Sequence, residues 1–169
     1  MAYEWMTDVQ ASLYMALSGY LATTGYNINN KNLSNNLDVR IGFPDDITRI
    51  TDRTIAIEEL PTFNAVADYQ LAPGNKYNSN IDYHIFTKTD RDVEVLLYQL
   101  SQHFKECPPV YDWGIAVTGG LAAGSTNFLI TFENKLLSRL RSEKLESNEL
   151  LNHRGSARVS VSFDSDNLV

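Results

Sequence analysis

The chain has 169 residues, 43% of them hydrophobic, and 14 basic against 21 acidic side chains give a formal net charge of -7. This length suits one domain with a single core, and the acidic balance argues against binding nucleic acid by phosphate neutralisation, which needs clustered cations. Cys107, the one cysteine, excludes an intramolecular disulfide and indicates a reducing compartment. Without a long apolar run or a signal-peptide pattern at its start, the sequence predicts a soluble protein made in the cytosol.

The first predicted element is an amphipathic helix that Thr7 caps and Gly25 ends. A residue without a side chain readily adopts the left-handed conformation that closes a helix. The apolar residues of this segment recur at helical period and form one stripe: Val9, Leu13, Ala16, Leu17, Tyr20 and Leu21.

The polar stretch "NINNKNLSNN" (27–36) follows, with six Asn in ten residues. Because Asn competes for backbone hydrogen bonds and tolerates turn geometry, the stretch predicts a loop, which "GFPDD" continues. Two hypotheses stay open: a solvated connector, or a segment that becomes ordered only on assembly.

Strand patterns then alternate apolar and other residues. "RTIAIEEL" (53–60) predicts a first strand that Pro61 ends. "AVADYQL" (65–71) predicts a second strand, and the turn "APGN" returns the chain through residues 81–85. We therefore predict an antiparallel hairpin of 65–71 with 81–85 that has one face in water.

The stretch "DYHIFTKTDRDVEVLLYQLSQHF" (82–104) changes from strand spacing to helical spacing. It predicts a second helix that Thr89 or Asp90 caps and that "CPP" ends, since proline lacks the backbone donor needed for continuation. This helix is expected to lie beside the first on the apolar face of the sheet and to bury one stripe: Val93, Leu96, Leu97, Leu100 and Phe104.

The last third contains two predicted strands, "NFLITF" (127–132) and "SARVSVSF" (156–163). The charged residues between them fit either a helix or the two arms of a long projecting hairpin. The sequence thus predicts an α+β fold, with a mostly antiparallel sheet and two amphipathic helices on one face. We expect one domain, with a core of 7–131 and 154–164 and a projecting segment at 132–153.

The strand–helix junction holds the most tempting catalytic candidates. His84 lies among acids, but a general base needs a nucleophile and none accompanies it in a recognisable setting. Asp90 and Asp92 fall in the first turn of the predicted helix, where an acid meets the positive end of the helix dipole and stabilises it by roughly 0.3–1 kcal/mol. We therefore interpret the junction as a capped helix start.

Other motifs give no stronger indication of chemistry. "GGLAAGST" (119–126) matches part of a phosphate-binding loop, but the lysine is missing and a β-rich sequence follows it. His84, His103 and His153 lack the close spacing of zinc ligands. We predict no catalytic residue, no metal and no cofactor.

Aromatic residues outside the periodic segments either close the ends of the core or form contacts with other proteins, where Tyr and Trp are enriched. A projecting segment is a further place for such contacts. The predicted interface residues are Phe63, Tyr77, Tyr111, Trp113, Arg139 and Arg141.

Four stretches resemble the tail terminator proteins of long-tailed bacteriophages, as does the order of the predicted elements along the chain. The stretches are "DVQASLYMALSGYL", "RTIAIEELPTF", "IDYHIFTKTDRDVEVLLYQLSQHF" and "HRGSARVSVSF". Related neck proteins share parts of the same plan.

The resemblance implies a virion structural protein without catalytic activity, assembled in the host cytoplasm and located in the tail–neck region. Such proteins form a hexameric ring that caps the tail tube and docks it to the connector of the head, while DNA passes through the lumen. The implied partners are further copies of the chain, the tail tube protein and the connector. The segment from Phe132 to His153 is longer than the plan of that family needs, and we expect it to contact the sheath or a neighbouring subunit. A ring contact is head-to-tail and therefore needs two different complementary patches on each subunit.

Two alternatives remain. One is a head-completion or stopper protein of the connector. The other, of a different class, is a small cytosolic ligand-binding or enzymatic domain that uses the loop at 119–126.

Overall fold

Two helices cover one face of a six-stranded sheet, which confirms the predicted α+β fold. The computed structural model describes residues 2–44, 50–60, 76–111, 125–141 and 153–164. Its helices are α1 (Ala2–Thr23) and α2 (Asp90–His103).

The sheet combines parallel and antiparallel pairings in the order β1-β2-β3-β4-β8-β7, and β5 and β6 form a separate antiparallel pair. The pairings β1–β2 and β2–β3 are parallel, and the other three in the large sheet are antiparallel. The strands are β1 (Asn27–Ile28), β2 (Asn36–Ile41), β3 (Thr54–Leu60), β4 (Lys76–Thr87), β5 (Pro109–Tyr111), β6 (Ser125–Leu129), β7 (Thr131–Arg141) and β8 (His153–Asp164).

The core lies between the helices and one face of the sheet. Ile57, Tyr83 and Ala157 are in register across β3, β4 and β8, and all three are fully buried. The predicted helix stripes supply the other half of the core: Val9, Leu13, Leu17 and Leu21 from α1, and Val93, Leu96, Leu100 and Phe104 at α2. Each fully buried aliphatic side chain stabilises the fold by about 1.5–3 kcal/mol.

The helix ends agree with the sequence prediction at three of four positions. Gly25 has a φ of 103° and follows α1, and Thr89 caps α2 by accepting a hydrogen bond from the backbone N–H of Asp92 at 3.1 Å. α2 ends at His103, before "CPP". Thr7, however, does not cap α1, because the helix begins at Ala2 and Thr7 lies inside it. No Gly or Pro interrupts residues 2–6, so the helix extends through them.

The Asn-rich stretch is not only a loop. Its two ends belong to β1 and β2, and β2 pairs in parallel with β3, from Asp38 opposite Thr54 to Ile41 opposite Ile57. The strand signal was the alternation of Leu37, Val39 and Ile41, which the surrounding Asn and Gly residues obscured.

The predicted hairpin of 65–71 with 81–85 is wrong. Over 80–86, β4 has β3 on one side and β8 on the other, so its two edges are occupied there. Residues 65–71 themselves lie outside the described residues. The alternating pattern identified β4 as a strand but did not identify its neighbours.

"NFLITF" is divided between two strands rather than forming one. β6 ends at Leu129, and β7 begins at Thr131 in a different sheet. The break is at Ile130, which is fully buried and donates its N–H to the carbonyl of Pro108 at 2.7 Å.

Part of the predicted projecting segment is a strand of the large sheet. β7 pairs antiparallel with β8, from Thr131 opposite Ser162 to Arg141 opposite His153. Of the two structures that the sequence left open, the described residues have the hairpin arms. Residues 142–152 lie outside the part of the chain that the structure describes.

Candidate functional site on the outer face and edges of the sheet

The side of the sheet that α1 and α2 do not cover, here called the outer face, is lined by the residues that alternate with the core positions. Across β3, β4 and β8 these residues are mostly polar. Three cross-strand contacts join them: Glu58 with His84, Asp82 with Arg158, and Asn80 with Ser160.

The strongest of these contacts is a two-pronged ion pair. Arg158 donates from Nε and Nη2 to the two carboxylate oxygens of Asp82, at 2.8 and 2.9 Å. Asp82 is nearly buried, whereas more than half of the Arg158 side chain is exposed. The hydrogen bond to Asp82 raises the pKa of Arg158. This pair ties β4 to β8 and presents a permanently charged guanidinium at the surface.

His84 and Glu58 form the acid–base pair of the outer face, with Nε2 and Oε2 2.7 Å apart. The ring of Phe43 lies edge-on to the imidazole, with centroids 4.8 Å apart. Within the described residues, His84 has no hydrogen bond to a serine, threonine or cysteine. The pair therefore supplies a proton acceptor but no nucleophile, and its observed contacts join β3 to β4.

A small second core interrupts this polar surface. Ile50, Ala56 and Phe86 are buried together on the outer face, and the guanidinium of Arg154 lies 4.9 Å from the centre of the Phe86 ring. Burial lowers the pKa of Arg154. The sequence predicted that this face lies in water. The structure differs in part, because apolar groups cover the outer face where Ala56 of β3 and Phe86 of β4 lie.

Hydrogen bonds of its own Asn side chains fix the conformation of the Asn-rich loop within one chain. Asn29 donates from Nδ2 to the carbonyl of Val39 at 3.1 Å and accepts from its N–H at 2.9 Å, so that an amide replaces a neighbouring strand at that position. Asn36 donates to Asp52 at 2.7 Å. Asn29 and Asn35 adopt positive φ values of 54° and 58°, which Asn tolerates better than most residues.

A shallow cleft of about 380 Å³ opens beside this loop. Lys31 donates to the hydroxyl of Thr51 at 2.9 Å and lies 3.8 Å from Asp38. The cleft is therefore polar at its rim and apolar at Ile41 and Ile50. Its lining consists of Asn29, Lys31, Asp38, Val39, Arg40, Ile41, Ile50, Thr51 and Thr54.

The strand–helix junction forms a charged cluster on the helix side of the sheet. His153 Nδ1 lies 2.9 Å from Asp90 Oδ1, and Arg139 contacts Asp90 at 2.9 Å and Glu94 at 2.6 Å. The hydrogen bond with His153 lowers the pKa of Asp90, and Arg139 lowers it further. These contacts tie the first turns of α2 to β7 and β8, in addition to the helix-start role predicted for Asp90.

The four predicted interface residues that the structure describes are not gathered in one place. Tyr77 lies in β4 opposite Phe163, whereas Arg141 lies opposite His153 at the far end of β8. Tyr111 ends β5 opposite Ser125. Arg139 is already engaged with two acids of α2. Phe63 and Trp113 lie outside the described residues.

Large apolar side chains are exposed at both edges of the sheet, on β7 within the predicted projecting segment and in and beside β2. On β7, Leu136 is 64% exposed and Leu140 is 42% exposed. Near β2, Leu33, Ile41 and Phe43 are 50%, 43% and 37% exposed. Leu136 and Leu140 lie four residues apart on one face of a strand, and this spacing was the signal that could have identified them.

The chain matches no model of a protein family, and no curated protein resembles it significantly in sequence. Neither of the described helices is both long and apolar enough to cross a bilayer. Within the described residues, no group of three or more His, Cys, Asp or Glu is placed to hold a metal ion.

The phosphate-loop alternative is weakened by the structure that follows the loop. Ser125 and Thr126, the last residues of that motif, belong to β6. A phosphate-binding loop of this kind needs a helix start there, whose free N–H groups face the phosphates. Residues 119–124 lie outside the described residues.

Proposed function

We propose that this chain is a virion structural protein, a tail terminator that forms a ring on the end of a phage tail tube. The ring caps the tube, docks it to the connector of the head and lets DNA pass through its lumen. The chain acts by geometry and self-association and carries out no catalysis. Its location is the tail–neck region of the virion.

One observation carries this proposal: exposed apolar side chains lie at the two opposite edges of one sheet. A closed ring is built from a head-to-tail contact, in which one patch of a subunit meets a different patch of the next. Leu136 and Leu140 supply one patch, and Leu33, Ile41 and Phe43 supply the other. A two-fold dimer needs only one self-complementary patch, so the presence of two on opposite edges favours a ring.

The charge of the chain is compatible with DNA passage. A subunit with a net charge of -7 repels phosphate on average, and a ring of such subunits gives a channel that does not retain DNA.

Negative-stain imaging tests the proposal and separates it from the stopper alternative. Purified protein is mixed separately with tail tubes and with DNA-filled heads. A terminator adds an extra ring to one end of the tubes and leaves bare heads unsealed. A stopper instead closes the heads and leaves the tube ends unchanged, and that outcome contradicts the proposal.

The cleft beside Lys31 is the one described feature that favours the ligand-binding alternative. A thermal-shift screen with nucleotides and phosphorylated metabolites tests it. Stabilisation by several degrees with one compound, lost when Lys31 is replaced by Ala, supports a ligand-binding domain in place of the ring.

A further inference from the structure

We infer that the β7 edge of one copy docks against the β2 edge of the next, with Glu133 and Lys135 facing Arg40 and Asp38. The β2 edge is the part of β2 beyond its two-residue pairing with β1. This inference rests on the proposed ring and names the contact that closes it. The partner at each exposed edge is another copy of this chain.

The free charges of the two edges are complementary. Arg40 and Glu133 are exposed, and neither has an ion-pair or hydrogen-bond partner among the described residues. Lys135 on β7 is likewise exposed and unpaired there, while Asp38 has only the 3.8 Å contact with Lys31 and the hydrogen bond that its Oδ1 accepts from Asn36. Arg40 and Glu133 are therefore the free opposite charges of the two edges, and pairing opposite charges fixes which edges meet.

Apolar contacts accompany the charges. Glu133 and Leu136 project on the outer face, because they pair with Ser160 and Arg158, which lie there. Leu136 is the most exposed of the large apolar residues on the described edges. Burial of Leu136 among the charged residues gives the contact an apolar centre with a charged rim, the usual anatomy of a protein interface.

Strand addition between the edges is disfavoured, so the docking is by side chains. On β2, the outward carbonyl of Leu37 accepts from Asn29 N–H, and the outward N–H and carbonyl of Val39 bond the Asn29 side chain. On β7, the register shifts between Glu133 and Leu136, and Asn134 has a φ of 51°. A bulge and a lysine on an edge strand both oppose pairing with another strand.

A symmetric contact of β7 with β7 gives a different outcome in the charge-reversal test. It does not involve Arg40, so Arg40→Glu would then associate like the wild type.

Charge reversal tests the contact. Arg40→Glu and Glu133→Arg each place like charges at the interface, so each variant alone should self-associate about tenfold or more weakly than the wild type. An equimolar mixture should recover association, because each copy then presents the complementary charge to the other. The double variant should recover it as well. Sedimentation velocity over a range of concentrations measures the effect.

Arg91→Glu is the matched control, since Arg91 is exposed in the first turn of α2 and belongs to neither edge strand. It should associate like the wild type, and circular dichroism verifies that each variant folds. The inference is overturned if either single variant associates normally, if the mixture does not recover, or if the wild type stays monomeric at every concentration.

Failure of this contact and failure of the proposed function give different results. If the wild type and Arg40→Glu both cap tail tubes, the terminator function stands and this interface is wrong. If the wild type does not cap tubes, the terminator function is wrong, while the charge-reversal series still decides the interface.

Discussion

Tyr83 lies at the centre of the sheet with a fully buried hydroxyl that has no hydrogen-bond partner among the described residues. Its ring packs against Phe104, with centroids 5.1 Å apart. Burial raises the pKa of Tyr83, because the phenolate is excluded from this apolar site. The ring thus contributes to the core, whereas the hydroxyl is buried at a cost.

Removing that hydroxyl should stabilise the protein. Tyr83→Phe keeps the ring and relieves an unpaired buried polar group, so we expect the free energy of unfolding to rise by about 1 kcal/mol. Urea denaturation measures the change. Tyr20→Phe is the matched control, because Tyr20 donates to Gln99 Oε1 at 3.2 Å, and its loss should lower stability slightly. A substantial loss of stability in Tyr83→Phe contradicts the account.

His103 is a second buried polar group in the core. Its ring lies between Tyr20 and Phe132, with centroid distances of 5.2 and 5.5 Å, and its Nε2 has no partner among the described residues. Burial lowers the pKa of His103 from 6.5, and the nearby Glu106 opposes this shift only in part. The folded protein therefore holds this imidazole in its neutral form.

The protein should lose stability as the pH falls through the His103 titration. Because the pKa of His103 is lowered in the folded state, unfolding takes up a proton when the pH is below 6.5, the ordinary pKa of the group. The stability that is present above pH 6.5 is therefore lost as the pH falls toward the folded pKa. His103→Phe removes this proton uptake. Between pH 7 and pH 5, the free energy of unfolding should therefore fall more for the wild type than for the variant. An equal slope in both proteins would rule out this role for His103.

At the scale of elements, α2 is held close to the sheet by a glycine of β8. A Cβ built on Gly155 would lie 2.9 Å from Val93 Cγ1 and 3.4 Å from Ile85 Cδ1. Both neighbours belong to the packed layer between α2 and β4. Since packed cores resist added volume, this close approach sets the distance between helix and sheet.

Gly155→Ala should therefore destabilise the protein by about 1–3 kcal/mol, the usual cost of overpacking. Gly19→Ala is the matched control, because Gly19 is an exposed residue of α1 and an added methyl group there would have nothing within 4 Å. That change should stabilise the fold by about 0.5–1 kcal/mol through helix propensity. Thermal unfolding of both variants measures the two effects, and equal effects of the same sign would refute the packing argument.

Sequence patterns predicted the elements better than their neighbours. The helices and the strands β3, β4 and β8 follow from apolar spacing, because each buries one regular stripe. The parallel pairing of β2 with β3 does not follow from local pattern, since the register is fixed by contacts between separate segments. For the same reason, alternation in 65–71 and in 81–85 led to a hairpin that the pairing of β4 with β3 and β8 excludes.

The candidate site could be predicted only in part, for a related physical reason. The predicted residues included Arg139 in the projecting segment, and Arg139 is paired with Asp90 and Glu94 within the chain. Arg40, Glu133 and Leu136, on which the inferred contact rests, were not among the predicted residues. Their position at an edge depends on the strand order, which is a property of the whole sheet.

At the scale of the whole molecule, the sheet has a covered face and two unlike edges. α1 and α2 bury the core on one side, and the edge positions at β2 and β7 retain unpaired charges and exposed leucines. A subunit with two unlike edges is suited to heterologous contacts, and whether such contacts close into a ring depends on the rotation between neighbours.

Growth of tail tubes from purified tube protein, with and without this chain, tests the central claim most directly. The measured quantity is the distribution of tube lengths by electron microscopy. If the chain is a tail terminator, adding it stops elongation and leaves a ring of several 19.1 kDa copies at one end of each tube. Unchanged lengths and bare tube ends, at concentrations where the chain is folded, would contradict it.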